Sequence, residues 1–239
     1  MPQALRVATY NVHACVGVDG RHDPDRVASV IAELEADIVA LQEFTYPAGV
    51  AIETRMPVTL TLADPYECVL GPTRQRGSEC FGNALLTRHR IVDVHRFDLS
   101  MERREPRGAI AATIEVRGTV VHVLAAHLGL RVHERRFQVS QILEYLDSVR
   151  HTLVVVLGDF NDWLPGRSVV HVLDDRLGKP PRRPASFPVQ WPIVPLDRIW
   201  VNPLRALRRI VTHATPTARL ASDHFPVVAD VDVSVTESA

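Results

Sequence analysis

The sequence predicts an α/β protein (α+β in its mix of strand directions) built from two β-sheets covered by helices. Three observations predict it. Short apolar runs of strand length recur along most of the chain. Two longer segments carry apolar residues at helical spacing instead. No internal repeat or long low-complexity stretch interrupts the series. With 239 residues, 46% hydrophobic and 23% charged, the chain can bury a sizeable core and lacks a disordered composition. Its length suits one domain over residues 1–239.

Residues 5–10 read as the first strand. Asp23-Pro24 is an N-cap followed by proline at the first helical position, and Val27, Ile31 and Leu34 follow at helical spacing. The spacing predicts a helix over 24–35. The run Ile38-Val39-Ala40-Leu41 predicts a buried strand within 37–44. Further strands are expected over 66–71, 80–88, 91–98, 108–117 and 119–127, the last two joined at Gly118. A second helix is expected over 133–149, with Val139, Ile142, Leu143, Leu146 and Val149 on one face. A continuous apolar strand spans 153–157, and a short helix is expected over 167–173. Residues 178–195 are rich in Pro and Arg and read as a surface loop. Strands over 196–201, 207–213 and 226–233 complete the chain, with a frayed tail after Val235.

Composition narrows the function. The formal net charge is −1, so no overall basic field draws the chain to nucleic acid. Lys179 is the only lysine. Arginine suits bidentate phosphate recognition, and an arginine bias equally reflects genome composition. Three cysteines without C-x-x-C spacing argue against a disulfide scaffold or a zinc knuckle. No signal peptide is expected, and no apolar run reaches membrane-spanning length. A cytoplasmic protein without a transmembrane segment, working as a monomer, is expected.

The chemistry lies where the apolar runs stop. The first strand ends at Asn11, and the second at Gln42-Glu43. The strand over 119–127 ends at His127. The strand over 153–157 runs into Gly158-Asp159-Phe160-Asn161. The last strand follows Ser222-Asp223-His224. Each residue alone has an ordinary explanation: a turn amide, a solvated acid, a core histidine, an Asx-turn. Together, strand ends can converge on one sheet edge and gather Asn11, Glu43, His127, Asp159, Asn161, Asp223 and His224. Such a set suits phosphoester hydrolysis. Carboxylates hold a hard divalent cation that neutralises phosphate charge, a carboxylate or histidine moves a proton, and amides orient the phosphate without adding charge.

The segments Thr9-Tyr10-Asn11, Leu41-Gln42-Glu43, Gly82-Asn83-Ala84-Leu85-Leu86-Thr87, Ala126-His127-Leu128, Gly158-Asp159-Phe160-Asn161, Leu196-Asp197-Arg198-Ile199 and Ser222-Asp223-His224-Phe225-Pro226 resemble the endonuclease/exonuclease/phosphatase superfamily. That superfamily includes pancreatic-type deoxyribonucleases, apurinic endonucleases, neutral sphingomyelinases and inositol polyphosphate 5-phosphatases. The resemblance implies a four-layer αββα sandwich, two mixed sheets flanked by helices, with the site at one edge of the sheets. It implies Asn11, Glu43 and Asp223 at the metal, Mg²⁺ or Mn²⁺, with Glu43 the principal ligand. It implies Asp159 as the residue that positions or deprotonates water, with Asn161 orienting the phosphate. His127 and His224 would meet the phosphate, and Asp197 would orient His224. Which histidine acts as acid is left open.

Secondary candidates are Asn83 and Arg107 as substrate-binding residues, either of which could be structural or solvated instead. Glu79 is weighed as a partner of His127, His13 as a residue facing the site, and Trp163 as a half-buried ring beneath the loop. Basic runs are short and separated, and no aromatic insertion or apolar hairpin for a membrane is evident. The favoured activity is therefore hydrolysis of a small or phospholipid-derived phosphoester. A DNA or RNA nuclease is the alternative, followed by a catalytically silent binding module.

Overall fold

A computed structural model describes residues 4–50, 53–55, 66–148, 153–163 and 168–235. The chain runs β1 (Ala4–Asn11), α1 (Pro24–Leu34), β2 (Ile38–Pro47), β3 (Glu53–Arg55), β4 (Glu67–Arg76), β5 (Glu79–Thr87) and β6 (Arg90–Asp98). It continues through β7 (Gly108–Val116), β8 (Thr119–His127), α2 (Val132–Ser148), β9 (Val154–Asp159), α3 (His171–Leu177), β10 (Asp197–Asn202), β11 (Leu207–Thr212), α4 (Pro216–Ala221) and β12 (Val227–Asp232). One sheet has seven strands in the order β11-β12-β1-β2-β5-β4-β3, and the other has five in the order β10-β9-β8-β7-β6. Each sheet contains one parallel pair, β1 with β2 and β8 with β9, among antiparallel ones.

Side-chain alternation along the strands creates three apolar layers. Leu5, Val7, Ile38, Ala40 and Leu85 of the first sheet pack against Ile110, Ala112, Val123, Val155 and Ile199 of the second. The other face of the first sheet, with Tyr10, Leu41 and Phe44, is covered by Val27, Ile31 and Leu34 of α1 and Ala218 of α4. The other face of the second, with Leu124, Val156 and Trp200, is covered by Val139, Ile142 and Leu146 of α2 and Leu173 of α3. The expected αββα sandwich is therefore the observed one. Among the described residues no helix is long and apolar enough to cross a membrane.

The α1 boundary follows its cap: Asp23 Oδ1 accepts the Arg26 amide at 3.0 Å, with Pro24 next in the chain. Four elements depart from expectation, the first being the three-residue strand β3, which no apolar run announces. The short helix begins at His171, later than the expected 167–173, because the Asp162 carboxylate holds the amides of Val169 and Val170 at 2.9 and 3.1 Å in a preceding turn. Residues 164–167 lie outside the described residues, as do Val149 and the tail beyond Val235. Helix α4 was not anticipated; its six residues are too few to show apolar periodicity, though Thr215 caps it through the Ala218 amide at 3.1 Å. β4 runs on to Arg76, past Gly71-Pro72, by shifting register between Pro72 and Arg74. The stretch 178–195 forms no helix or strand of its own, as its proline content implies.

Candidate active site

Strand alternation aims the polar strand ends into the space between the sheets. In β8, Val121, Val123 and Ala125 face the inter-sheet core, so His127 does too. In β9, Val155 and Leu157 set the same phase for Asp159, and in β10 Ile199 and Val201 set it for Asp197. Register then lines them up: His127 lies beside Asp159, and Asp159 beside Asp197. From the facing sheet, Leu5 and Val7 fix the phase that delivers Asn11.

Glu43 arrives by a different device. Val39 and Leu41 face the helical layer, and simple alternation would send Glu43 the same way. A register shift between Leu41 and Phe44 prevents this, with Glu43 in the left-handed region at φ 56°. After the shift Phe44 and Tyr46 take over the helical face, and Glu43 is released toward Asn11.

The two halves meet through short polar contacts. Asn11 Nδ2 donates to Asp159 Oδ2 at 3.0 Å and to Glu43 Oε1 at 3.2 Å. Two carboxylates therefore converge on one amide group. Asp159 Oδ1 accepts the Asn161 amide at 2.9 Å, and Asn161 Nδ2 reaches His127 Nε2 at 3.2 Å and the Leu128 carbonyl at 3.0 Å. Across the gap, His224 Nδ1 pairs with Asp197 Oδ2 at 2.7 Å. The outer nitrogens of both histidines approach Asp159 Oδ2, His127 at 3.7 Å and His224 at 4.0 Å. Candidate ligand atoms of Asp159, Asp197 and His224 all lie within 4.8 Å of one another. Asp223 sits at the rim, 3.8 Å from His13.

The two imidazoles are driven in opposite directions. Burial pushes His127 down to about 3; the Arg107 and His224 cations add to that, and Asp159 opposes it. Burial also works against charge on His224, but the Asp197 carboxylate, in contact and by its field, holds it up at about 10 with help from Asp159. At neutral pH His127 is neutral and His224 is an imidazolium. Glu43 is raised, chiefly by burial, against the lowering effect of its Asn11 bond.

The profile of the Endonuclease/Exonuclease/phosphatase family matches residues 8–224. The chain belongs to the endonuclease/exonuclease/phosphatase family. Membership places it among hydrolases of phosphoester bonds. The sequence is 30% identical to the uncharacterized protein YbhP of Escherichia coli K12 over 250 residues, covering 95% of this chain and 96% of that protein. A family structure from Beutenbergia cavernae superposes with a TM-score of 0.75 at 23% identity, covering 96% of this chain and 72% of that one. The Bacteroides thetaiotaomicron mannosyl-6-phosphatase Bt3783 superposes at 0.70 with 20% identity, covering 94% and 98%. At those identities the superpositions show the fold.

Within this family fold the remaining candidates fall as follows. Arg107 is buried, paired with Glu105 at 3.0 Å, and its charge is felt at His127. Asn83 is buried and donates to the Gly108 carbonyl at 2.7 Å, tying β5 to β7 across the sheets. His13 donates its backbone amide to Asn11 Oδ1 at 3.0 Å and lies at the rim. Glu79 is exposed at the start of β5. Trp163 is 53% exposed, more than a ring tucked beneath the loop would be.

Several contributors to the site were not foreseen. The Ser222 hydroxyl donates to the Asn11 carbonyl at 2.8 Å and accepts the His224 amide at 3.2 Å, joining β1 to the terminal loop. The Phe187 ring packs on His224 with centroids 4.8 Å apart. Asp162 takes the Ser168 hydroxyl at 2.6 Å and Arg135 at 3.3 Å, while its carbonyl accepts Arg198. That network anchors the loop that carries Asn161. One signal for it was present: Arg135 and Gln138 share the helical spacing of Val139, Ile142 and Leu146, which puts a cation on the apolar face of α2. The turn closed by the isolated Phe187–Val194 bridge exposes Trp191 at 77% and Ile193 at 76%.

Proposed function

We propose that the chain is a Mg²⁺- or Mn²⁺-dependent phosphodiesterase or phosphatase acting on a small or lipid-derived phosphoester. One observation carries this reading. Glu43 and Asp159 converge on the single Asn11 amide, and Asp159 is flanked by a neutral and a charged histidine. Buried carboxylates converge at a cost unless a cation joins them, and oxygen donors suit Mg²⁺ or Mn²⁺ over zinc. Glu43 and Asn11 would hold the ion, with Asp223 at the rim. Bound there, it would neutralise phosphoryl charge and stabilise the leaving oxygen.

The residues of the chain divide the remaining work. Asp159 accepts the proton of the attacking water, since Asn11 and the Asn161 amide fix both of its oxygens. His224, oriented by Asp197, presents a charged N–H toward the phosphoryl oxygens. His127 stays neutral; Asn161 steadies its Nε2 and completes the phosphate-facing amide set. The exposed Trp191 and Ile193 beside the His224 loop support a lipid-derived substrate. The free cysteines Cys15, Cys68 and Cys80 support a reducing compartment such as the cytoplasm.

A substrate panel tests the proposal: bis(p-nitrophenyl) phosphate, phospholipids, inositol phosphates, plasmid and abasic DNA, and RNA, each with Mg²⁺ and Mn²⁺. Turnover of small or lipid-derived esters is expected. Preference for polynucleotides, with binding that weakens steeply as salt rises, would establish the nuclease instead. Inertness toward the whole panel would make the fold a binding module.

A further inference from the structure

We propose that the cleft between the 104–107 turn and the 129–134 segment is an anion subsite. It would hold a second phosphate or carboxylate of the same small substrate whose scissile phosphoryl lies at Asp159 and His224. The proposal rests on the phosphoesterase reading above and narrows its substrate to doubly anionic phosphoesters.

The cleft is open and has a volume of about 140 Å³. A single water position needs roughly 10–15 Å³ of such space, so there is room for one anionic group with its linker. Arg104, Arg107 and Arg131 line it, with Glu105, Glu134 and the Gly129-Leu130 segment. It begins two residues beyond His127, and the intervening Leu128 carbonyl accepts Asn161 Nδ2 at 3.0 Å. The subsite therefore adjoins the phosphate-facing groups.

Its charges are unequal in a way that counts. Glu105 is shared by Arg107 at 3.0 Å and Arg74 at 3.5 Å. Glu134 is shared by the Arg131 amide at 2.8 Å and Arg104 at 3.8 Å. Both carboxylates are already engaged twice. Arg131 makes no ion pair through its guanidinium among the described residues, and it is exposed to the cleft mouth. Arg107 is only 6% exposed and forms part of the cleft wall. A solvated surface charge explains Arg104 or Arg131 alone. It does not explain a guanidinium buried in the cleft wall, paired with a carboxylate that Arg74 also holds and near enough for its charge to be felt at His127. Planar guanidinium forks match phosphate and carboxylate oxygens two at a time.

Calorimetry on the full chain saturated with Mg²⁺ tests the subsite with two probes, propyl phosphate and propane-1,3-diyl bisphosphate. The bisphosphate is expected to bind roughly ten-fold more tightly or better, the size of one added charge-assisted contact. In Arg104→Ala/Arg131→Ala, checked for folding by its melting curve, that ratio is expected to fall toward one. Arg107→Lys, which keeps the charge and loses the fork, should lower it in part. Equal binding of the two probes to the wild type, or an undiminished ratio in the double variant, would overturn the subsite. Hydrolysis of bis(p-nitrophenyl) phosphate is scored separately. Hydrolysis without discrimination refutes the subsite alone. Discrimination without turnover of any ester refutes the hydrolase and leaves an anion-binding cleft.

Discussion

His127 and His224 approach the same Asp159 oxygen from two sides, at 3.7 and 4.0 Å, with different charges at neutral pH. The arrangement sets a cation and a neutral ring beside one carboxylate oxygen. Replacing Asp159 with Asn keeps the shape and removes the proton acceptor, so turnover is expected to fall roughly 10²-fold or more; steady-state rates on whichever panel ester is turned over would show it. His224 offers a pH test. Its pKa is held at about 10 by Asp197, well above the ordinary histidine range, so the imidazolium persists at neutral pH and is lost only as pH rises through that value. In Asp197→Asn the supporting charge disappears while burial still disfavours the cation. The alkaline limb of the pH–rate profile is therefore expected to move to lower pH. An unmoved limb would show that His224 does not govern it. At this scale the sequence was largely readable, because Asn11, His127 and Asp159 keep the alternation of the apolar residues before them and Asp197 that of the residues after it. The opposite charges of the histidines were not readable, since they follow from spatial neighbours far apart in sequence.

Elements decide which of these side chains arrive. Most strands were legible as apolar runs between turn residues, and the Asp23-Pro24 signal set the start of α1. The register shift in β2 was not legible. Nothing in Leu41-Gln42-Glu43-Phe44 announces that Glu43 leaves the phase of Leu41, because the shift is defined against its partner β5. The loop anchor at Asp162 was legible only in part: Arg135 falls on the apolar face of α2, but its partner is a carboxylate distant in sequence. Gly158 shows how closely β9 is fitted. It has φ 149°, and a Cβ there would lie 1.9 Å from the Ala126 carbonyl oxygen in β8. Gly158→Ala is expected to destabilise the fold by roughly 3 kcal/mol or more. It should also disturb the pairing of His127 with Asp159. Chemical denaturation would measure the first effect, and loss of turnover in the still-folded fraction the second. Wild-type stability would mean the two strands have more slack than their spacing shows.

Across the whole molecule, the site is assembled from both sheets. Asn11, Glu43 and His224 come with the seven-stranded sheet, and His127, Asp159 and Asp197 with the five-stranded one. A divalent ion joining carboxylates of the two sheets should raise the melting temperature in proportion to its binding. Mg²⁺ or Mn²⁺ is expected to produce that shift in the wild type and not in Glu43→Gln, and EDTA is expected to abolish activity until either ion is restored. Full activity in chelator would remove the metal from the reaction.

Ala40, Ala112 and Ala125, the small residues in the aliphatic layer between the sheets, then acquire a role of their own. These methyl groups act as shims. Together with the bulkier Val, Ile and Leu of the same layer they set how far apart the two backbones stand, and so the bite of the two halves on whatever lies between them. Exchanging one of them for leucine would leave every reactive atom in place chemically and still open the mouth, a route to altered selectivity from a position that substrate never touches.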